Sequence, residues 1–178
     1  MATQRMASTY KALLPGIRNF LFDVDGVFTD NRTLLYPGLD PVRTFYTRDA
    51  FAVQHAIKEG YRVIIISGGR SHGVADSLAR LGVTEVHLGT RDKLVLLEQK
   101  LNEGLDLSAS AYMGDDLPDT RVMQRVALPC CPADAVPEIK AISRFISGRN
   151  GGDGCVRDLI EQTMKAQGTW LTDGAYTW

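Results

Sequence analysis

The sequence has no apolar run long enough to cross a membrane, and its first residues lack the apolar stretch and cleavage site of a secretory signal. It has no surplus of one charge, because 20 basic and 21 acidic residues are scattered along the chain and leave a net charge of −1. Proteins that bind nucleic acid usually concentrate basic residues in a patch or stripe, and no such cluster is present. These absences predict a soluble protein that has neither a membrane nor nucleic acid among its partners.

Cysteine is scarce as well, with 3 residues in the whole chain and no C-x-x-C spacing. Cys130 and Cys131 are adjacent, and neighbouring cysteines rarely form a disulfide with each other. The odd count argues against a disulfide scaffold or a zinc site and favours reduced thiols. We therefore predict a cytoplasmic protein.

The chain does contain enough apolar residues for a core, since they make up 44% of its 178 residues. We expect a single domain over residues 1–178. Its start, at about residues 1–15, is predicted to be flexible. The tail at about residues 169–178 is predicted to be either mobile or a docking arm.

Apolar runs alternate with helical segments along the chain. Strands are predicted at residues 17–24, 61–67, 83–89 and 110–115. Helices are predicted at residues 49–60, 71–82 and 91–104, with Asp49 as the N-cap of the first. A strand followed by a helix at this spacing implies parallel strands joined by right-handed crossovers. The pattern therefore predicts an α/β fold with a doubly wound, Rossmann-like parallel sheet, which binds ligands beyond the carboxyl ends of its strands.

Residues 32–47 depart from the alternation of strand and helix, because two β-rich runs flank a turn at Pro37 and Gly38. They predict a β-hairpin flap that stands off the sheet after the first strand. A hairpin alone is only marginally stable in water, so this one should pack on another surface. A neighbouring subunit is a candidate for that surface.

The stretch LFDVDGVFTD, from Leu21 to Asp30, places two aspartates at the end of the first predicted strand. Residues i and i+2 of an extended segment face the same side, so Asp23 and Asp25 should point into one small space. Like charges repel each other there unless a cation lies between them or one carboxyl keeps its proton. The pair therefore predicts one of these two arrangements.

Polar groups follow the other predicted strands, at the same edge of the sheet. They are Ser67, Gly68, Gly69, Lys93, Asp115, Asp116 and Asp119. Carboxylate oxygens suit Mg²⁺, which commonly joins one or two protein carboxylates to a substrate phosphate. A serine hydroxyl, the N–H groups of a glycine turn and an ammonium group match the remaining phosphate oxygens. The set predicts phosphoryl transfer assisted by Mg²⁺.

The motifs DVDGVFTD, SGG, a solitary lysine and GDDLPD, in that order, resemble those of the haloacid dehalogenase superfamily, the aspartate-nucleophile phosphatases. The likeness covers nearly the whole chain. It implies that Asp23 is the nucleophile, which forms an aspartyl-phosphate, and that Asp25 is the general acid and base. Ser67 and Lys93 would hold the transferring phosphoryl group. The resemblance also implies a Mg²⁺ site made by Asp115, Asp23 and the main-chain carbonyl of Asp25.

Many members of this superfamily cover the site with a cap domain, but the intervals after the first two strands hold too little chain for one. Residues 30–61 contain only the hairpin and a helix, and residues 67–93 contain only a helix and a strand. An open site either takes a macromolecule or borrows a lid from another subunit to exclude water. The sequence thus predicts a capless enzyme.

The pieces FYTRDAFAV, ISGGRS, GTRDKL, YMGDDLPD and GGDGCVRDLIEQTMKAQG resemble one capless family, the 3-deoxy-D-manno-octulosonate 8-phosphate phosphatases. The resemblance implies a cytoplasmic homotetramer in which neighbouring subunits complete the pocket. It also implies hydrolysis of a sugar-acid phosphate on the way to a cell-surface glycan, lipopolysaccharide. Arg48 and Arg70 are the candidates for binding the sugar acid, because a planar guanidinium suits a carboxylate. Gly68 and Thr29 complete the predicted substrate-binding set.

Alternative functions stay open at this stage. A nonulosonate 9-phosphate phosphatase shares almost all of these motifs, although its residue after the Ser-Gly pair tends to be acidic where this chain has Gly69. A non-catalytic assembly module, like inactive relatives fused to sugar-nucleotide synthetases, would need none of the polar set. A protein phosphatase would also tolerate an open site.

Some of the predicted site residues also have a structural interpretation. Thr29 can anchor the hairpin, and Arg48 can pair with Asp49. Asp119 can orient Lys93 instead of contacting substrate.

Overall fold

The fold is built on one parallel sheet. The computed structural model describes residues 9–178. The strands of this part of the chain are β1 Asn19–Phe22, β2 Arg62–Ile66, β3 Glu85–His87, β4 Ser110–Met113, β5 Leu128–Cys131 and β6 Phe145–Ile146. Their order across the sheet is β3-β2-β1-β4-β5-β6, and each neighbouring pair is parallel. β1 therefore lies near the middle of the sheet, where the order of the strands reverses.

Helices cover both faces of this sheet. The α-helices in the described residues are α1 Tyr10–Leu13, α2 Thr47–Lys58, α3 His72–Arg80, α4 Lys93–Asn102, α5 Thr120–Met123, α6 Pro137–Ile142 and α7 Cys155–Gln167. Not one of them combines the length and the apolar character that crossing a bilayer requires.

The alternation of side chains in β1 shows how the two faces are filled. Phe20 and Phe22 pack into a core with α2, α3 and α7, whereas Leu21 packs into a second core with α4, α5 and α6. Because the strand is buried on both faces, its successive residues Phe20, Leu21 and Phe22 are all apolar and form a continuous apolar run in the sequence. The predicted doubly wound α/β fold is confirmed.

The predicted elements are present, with some differences. Each of the predicted strands is found and is shorter than expected. β5 and β6 were not predicted, because β5 contains Pro129, a residue that argues against a strand within a sheet, and β6 has only 2 residues. The assignment of Asp49 as an N-cap was wrong, since α2 begins at Thr47 and Asp49 lies in its first turn.

The segment of residues 32–47, here called the hairpin, folds back on itself around one antiparallel bridge between Leu34 and Val42. The two residues exchange backbone hydrogen bonds of 3.0 Å, but no ladder of regular strands forms. Oδ2 of Asp40 accepts a 3.0 Å hydrogen bond from the backbone N–H of His72 and lies 2.8 Å from its Nδ1. The hairpin is therefore tethered to the start of α3.

The beginning of the described chain packs onto α7. Residues 1–8, which fall within the predicted flexible start, lie outside the described residues. The hydroxyl of Tyr10 in α1 donates a 3.0 Å hydrogen bond to Gln162, and Leu14 is buried in the core. Residues 10–15 are therefore packed in the structure, and their flexibility stays a prediction.

The C-terminal tail, residues 169–178, packs against α2 and α7 of its own chain. Trp170 is buried, and its carbonyl oxygen lies 2.9 Å from Nε2 of His55. Nζ of Lys58 donates a 2.8 Å hydrogen bond to the carbonyl oxygen of Thr177. In the structure the tail lies on helices of its own chain, and whether it is mobile or a docking arm stays a prediction.

Candidate active site

The polar residues predicted from the strand ends meet at the carboxyl edge of the sheet, around an open cavity of about 700 Å³. Asp23 and Asp25 follow β1, Ser67 follows β2, Lys93 begins α4 and Asp115 follows β4. All of them line the cavity, as does the glycine turn after β2. The predicted convergence is therefore present in the structure.

Lys93 lies between two carboxylates. Its Nζ is 2.7 Å from Oδ2 of Asp23 and 2.6 Å from Oδ1 of Asp119, and all three residues are buried. Burial acts to lower the pKa of the lysine, but the negative charges of Asp119 and Asp23 together outweigh it, so the pKa is raised. Lys93 thus stays an ammonium group, fixed beside the predicted nucleophile.

Asp119 links Lys93 to the strand β4 and to the loop that follows it. Besides the ammonium group of Lys93, its Oδ1 accepts a 2.6 Å hydrogen bond from the hydroxyl of Tyr112, and its Oδ2 accepts one of 3.1 Å from the backbone N–H of Asp115. Asp119 and Asp116 also form a capping box at the start of the 3-10 helix Leu117–Asp119. The geometry places Asp119 as the residue that orients Lys93. Tyr112 had no signal in the sequence, because it looks like an ordinary core residue of a strand.

Three carboxylates crowd together at this edge of the sheet. Oxygen atoms of Asp23, Asp115 and Asp119 lie within 4.8 Å of one another. Burial, and then repulsion by Asp119, raises the pKa of Asp23 to about 6. Burial, and then repulsion by Asp23, raises the pKa of Asp115 to about 7. Because Lys93 offsets only part of this negative charge and Asp119 is engaged by hydrogen-bond donors, Asp23 and Asp115 fit a hard divalent cation such as Mg²⁺.

The loop after β1 contributes two further residues. Asn31 has a positive φ of 64°, and its Nδ2 donates a 3.0 Å hydrogen bond to Oδ2 of Asp115. Thr29 is fully buried, and its Oγ1 accepts 3.4 Å hydrogen bonds from the N–H groups of Gly26 and Asn31. Asn31 was missed in the sequence. The position of Thr29 favours the anchoring interpretation within this chain.

Arg43 of the hairpin contacts the second aspartate. Its Nε lies 2.6 Å from Oδ1 of Asp25, and its Nη2 lies 3.0 Å from Oδ2. The ion pair raises the pKa of the arginine. The sequence had no signal for this contact, because it joins residues 18 positions apart through the tertiary fold.

The two arginines predicted to bind substrate do not line the cavity of the single chain. Arg48 is exposed on the first turn of α2, and it does not pair with Asp49, which accepts a 2.7 Å hydrogen bond from the backbone N–H of Arg157 instead. Arg70 is exposed and lies over Gly89, where a Cβ would overlap its side chain. Both substrate contacts therefore stay predictions.

Two other arginines do stand on the wall of the cavity. Arg91 and Arg121 are exposed, and within residues 9–178 neither makes an ion pair or a side-chain hydrogen bond. They precede Lys93 and follow Asp119 by two residues each. Position in the sequence next to the two motifs was the signal that could have found them.

The glycine-rich loop before α7 packs against the loop after β1, which carries Asp25. Gly152 donates a 2.9 Å hydrogen bond from its N–H to the carbonyl oxygen of Val27, and Gly151 donates one of 2.9 Å to Oδ1 of Asp134. A Cβ on Gly151 would overlap the carbonyl group of Gly26. Only glycine lets the two backbones come this close.

Comparison with known proteins gives a consistent result at the level of sequence and of structure. A scan against protein-family models finds no match. The chain is 33% identical over 154 residues to the 3-deoxy-D-manno-octulosonate 8-phosphate phosphatase KdsC of Escherichia coli, covering 85% of this chain and 81% of that protein. It is similar to the structure of the phosphatase of the same name from Yersinia pestis, with a TM-score of 0.87, 30% identity, and coverage of 91% of this chain and 88% of that one.

A third relative was solved with ligands. The 3-deoxy-D-manno-octulosonate 8-phosphate phosphatase from Moraxella catarrhalis, in complex with a magnesium ion, a phosphate ion and a KDO molecule, has a TM-score of 0.85 and 29% identity. The similarity covers 90% of this chain and 92% of that one.

A parallel sheet in this order, with paired aspartates after the strand where the order reverses and a lysine held against the first of them, defines a hydrolase of the haloacid dehalogenase superfamily. The identity to KdsC extends over most of both chains. The chain belongs to the 3-deoxy-D-manno-octulosonate 8-phosphate phosphatase family.

Proposed function

We propose that this protein is a Mg²⁺-dependent phosphatase that hydrolyses 3-deoxy-D-manno-octulosonate 8-phosphate to the free sugar acid and phosphate. The observation that carries the proposal is the contact of Lys93 with Asp23, beside Asp115, in a chain that matches phosphatases of this name over most of their length. The Moraxella catarrhalis relative binds a magnesium ion, a phosphate ion and a KDO molecule, which are the metal and the products that this reaction requires.

In the proposed mechanism Asp23 is the nucleophile. A carboxylate is a weak nucleophile, and the negative phosphate repels it until positive charge is brought to the site. Nζ of Lys93, 2.7 Å from Oδ2 of Asp23, supplies one such charge at the point of attack. When bound to Asp23 and Asp115, Mg²⁺ supplies the remaining neutralisation of the phosphate. Ser67 and the N–H of Gly68 bind the other oxygens of the phosphoryl group.

Asp25 is the proposed general acid and base. It protonates the oxygen of the leaving sugar alcohol while the phosphoryl group moves to Asp23. It then takes a proton from the water molecule that hydrolyses the aspartyl-phosphate. Cleavage of a carbon–halogen bond needs no acid for an alkoxide, so the second aspartate favours phosphatase over dehalogenase chemistry.

The sugar acid is proposed to bind through Arg48 and Arg70, with Gly68 completing the pocket, whereas the buried Thr29 anchors the loop after β1. Both guanidinium groups are exposed in the single chain, which leaves them free to meet a carboxylate in a pocket shared with another subunit. Arg91 on the cavity wall offers a further cation for the same group.

We also propose a homotetramer in which neighbouring subunits complete the open site. The support is the hairpin, which presents large apolar side chains to solvent in the single chain. These are Leu34, Leu35, Tyr36, Leu39 and Val42. A cluster of this kind on a single chain is typical of an interaction surface. A cytoplasmic location is proposed on the reduced state of the buried cysteines Cys130, Cys131 and Cys155.

The test is kcat/KM for phosphate release from two substrates, the octulosonate 8-phosphate and a nonulosonate 9-phosphate, with Mg²⁺ and with EDTA. We expect a strong preference for the octulosonate and loss of turnover with EDTA. Asp23→Asn should abolish turnover while leaving the fold intact by circular dichroism. Equal low rates on both substrates would reject this substrate but keep the chemistry, whereas wild-type activity of Asp23→Asn would reject the nucleophile. A folded protein with no turnover of any phosphate ester would revive the assembly module.

A further inference from the structure

The hairpin carries an arginine that nothing in the proposed mechanism uses. We propose that Arg43 is a positioning residue that orients the carboxyl group of Asp25, and that through it the hairpin becomes part of the proton-transfer machinery. This inference rests on the proposed function, because it assumes that Asp25 transfers the proton. It goes beyond that function in placing a residue from outside the four strand-end motifs behind the acid and base.

The first support is the geometry of the ion pair. Two nitrogen atoms of one guanidinium face the two oxygen atoms of one carboxylate, at 2.6 Å and 3.0 Å. A bidentate pair of this kind fixes the plane of the carboxylate as well as its position, which a single hydrogen bond or a lysine does not do. The side chain of Arg43 is only 9% exposed and that of Asp25 is 30% exposed, so the pair is shielded on the arginine side and open towards the cavity.

The second support is that the guanidinium is itself held in place. Nη1 of Arg43 donates a 3.3 Å hydrogen bond to the carbonyl oxygen of Pro41, within the hairpin. The residue before Arg43 is Val42, which forms the only bridge pair of the hairpin in the described residues. Asp40, on the same arm, is tethered to His72. Both the backbone next to Arg43 and its guanidinium group are thus held in place, as a positioning residue requires.

The third support comes from the glycine turn after β2. A Cβ on Gly69 would lie 2.9 Å from Oδ2 of Asp25 and 3.1 Å from Nη2 of Arg43. A side chain at this position would therefore press on the ion pair, and an acidic one would compete with Asp25 for the guanidinium. The absence of a side chain at Gly69 and the presence of Arg43 form one consistent arrangement.

The pair leaves a defined path for the proton. In the first step the proton of the Asp25 carboxyl group passes to the bridging oxygen as the P–O bond breaks, and the phosphoryl group bonds to Asp23. In the second step water attacks phosphorus, its proton passes to the carboxylate of Asp25, and the bond between phosphorus and Asp23 breaks. The oxygen that carries the proton faces the substrate in each step, so the bidentate contact is replaced by a single hydrogen bond from Arg43 to the other oxygen, and this bond keeps the carboxyl group in orientation.

The experiment compares substrates that differ in their need for an acid. A nitrophenolate ion leaves without a proton, whereas the alcohol oxygen of a sugar must be protonated as it leaves. The value of kcat/KM reports the steps up to and including phosphoryl transfer to the enzyme. We expect Arg43→Met to lower kcat/KM for the sugar phosphate by about tenfold or more, and to lower it by less than about threefold for p-nitrophenyl phosphate. Arg43→Lys should recover only part of the loss, because a lysine keeps the charge but not the planar fork.

The matched control is Arg32→Met, which removes an exposed arginine from the other arm of the hairpin. It should leave both rates unchanged. Arg43→Gln provides a second variant, because glutamine keeps a hydrogen-bond donor for one oxygen of Asp25 but loses the charge and the planar fork. It should show the same dependence on the leaving group as Arg43→Met, and it keeps the proposal testable if Arg43→Met fails to fold.

Asp25→Ala serves as the reference for acid catalysis. If it loses activity mainly on the sugar phosphate and Arg43→Met does not, the positioning role of Arg43 is overturned while the proposed function stands. Equal loss on both substrates in Arg43→Met overturns it too, since a merely structural residue would give that result. If Asp25→Ala itself shows no dependence on the leaving group, the proposed role of Asp25 fails, and the inference about Arg43 fails with it.

Discussion

The ammonium group of Lys93 donates a 2.6 Å hydrogen bond to Oδ1 of Asp119, and both side chains are buried. The first residue of α4 and the loop after β4 are thereby locked together. Because Lys93 also lies 2.7 Å from Asp23, the contact sets where the positive charge stands relative to the proposed nucleophile. We therefore infer that Asp119 acts on the proposed reaction through Lys93.

Replacing Asp119 by alanine tests this relationship. The change leaves the buried Tyr112 hydroxyl without its acceptor and Lys93 with one carboxylate, so we expect a loss of about 3–5 kcal/mol in the free energy of unfolding. We also expect kcat to fall by about 10–100-fold. Urea denaturation and steady-state kinetics measure both. Asp106→Ala, which removes an exposed cap before β4, should change neither kcat nor KM, and a normal kcat in Asp119→Ala would contradict the role of Asp119.

Gly151→Ala tests the contact between the glycine-rich loop before α7 and the loop after β1. The added Cβ has no room against the carbonyl group of Gly26, so one of the two backbones must move. We expect a loss of about 1–3 kcal/mol in the free energy of unfolding and a lower kcat, because the clash presses on the loop that carries Asp23 and Asp25. Gly148→Ala is the control, since nothing lies within 4 Å of the position of its Cβ. Equal behaviour of the two variants would rule out a tight approach of the loops.

Asp49 should make stability depend on pH. Burial raises its pKa from 3.8 to about 6, even though the N–H groups of Arg157 and Gly154 act to lower it. The fold therefore favours the protonated carboxyl group. Its stabilising contribution is fully present below pH 3.8, is lost as the pH rises to about 6, and is absent at higher pH.

The measurement is the free energy of unfolding between pH 4 and pH 8 for the wild type and Asp49→Asn. The amide keeps an acceptor for Arg157 and cannot ionise, so we expect the variant to be more stable than the wild type at pH 8, by up to about 3 kcal/mol, and the difference to shrink towards pH 4. Asp76→Asn, an exposed change on α3, should leave the profile as it is. A constant difference at all pH values would show that Asp49 does not titrate in this range.

Leu35→Glu tests the proposed assembly. Leu35 is 75% exposed in the single chain, so the change should cost the monomer almost nothing, whereas a charge buried between subunits is expensive. We expect light scattering to give a lower mass for the variant than for the wild type, together with a loss of activity. Leu171→Glu, at a position that is 73% exposed in the tail, is the matched control. Unchanged mass in Leu35→Glu, or a wild type that is already monomeric, would speak against assembly through the hairpin.

Arg70→Ala tests the proposed recognition of the sugar acid. Loss of the guanidinium should raise KM for the octulosonate 8-phosphate far more than KM for a small phosphate ester that has no carboxylate. The exposed Arg80, at the end of α3, gives a control that should change neither value. Equal effects of Arg70→Ala on both substrates would remove its role in recognition.

The parts of this protein that were predictable are those set by local pattern. β1 and β2 are buried on both faces, so they appear as unbroken apolar runs, and their carboxyl ends share one edge of the sheet. That geometry alone brings Asp23, Ser67 and Asp115 together. β5 was not predicted, because its four residues include a proline, which argues against a strand.

The parts that were not predictable depend on contacts between distant segments. Arg43 reaches Asp25 only because residues 32–47 fold back over the site, and no local spacing encodes that path. Tyr112 points its hydroxyl at Asp119 from a strand that otherwise looks like core. Asp49 of α2 accepts a hydrogen bond from the backbone N–H of Arg157, in the first turn of α7. The sequence pattern predicted Asp49 as the N-cap of its own helix, whereas in the structure it links two helices.

The packing of the tail has a practical consequence for optical work on this protein. The 2 tryptophans of the sequence are Trp170 and Trp178, and both belong to the tail. Trp170 is buried, with the guanidinium carbon of Arg157 5.1 Å from its ring centre, whereas Trp178 is 70% exposed. Intrinsic tryptophan fluorescence therefore reports on this segment alone, without any engineered label. Undocking of the tail would shift the emission of Trp170 to longer wavelength, and no tryptophan elsewhere in the chain would contribute to the signal.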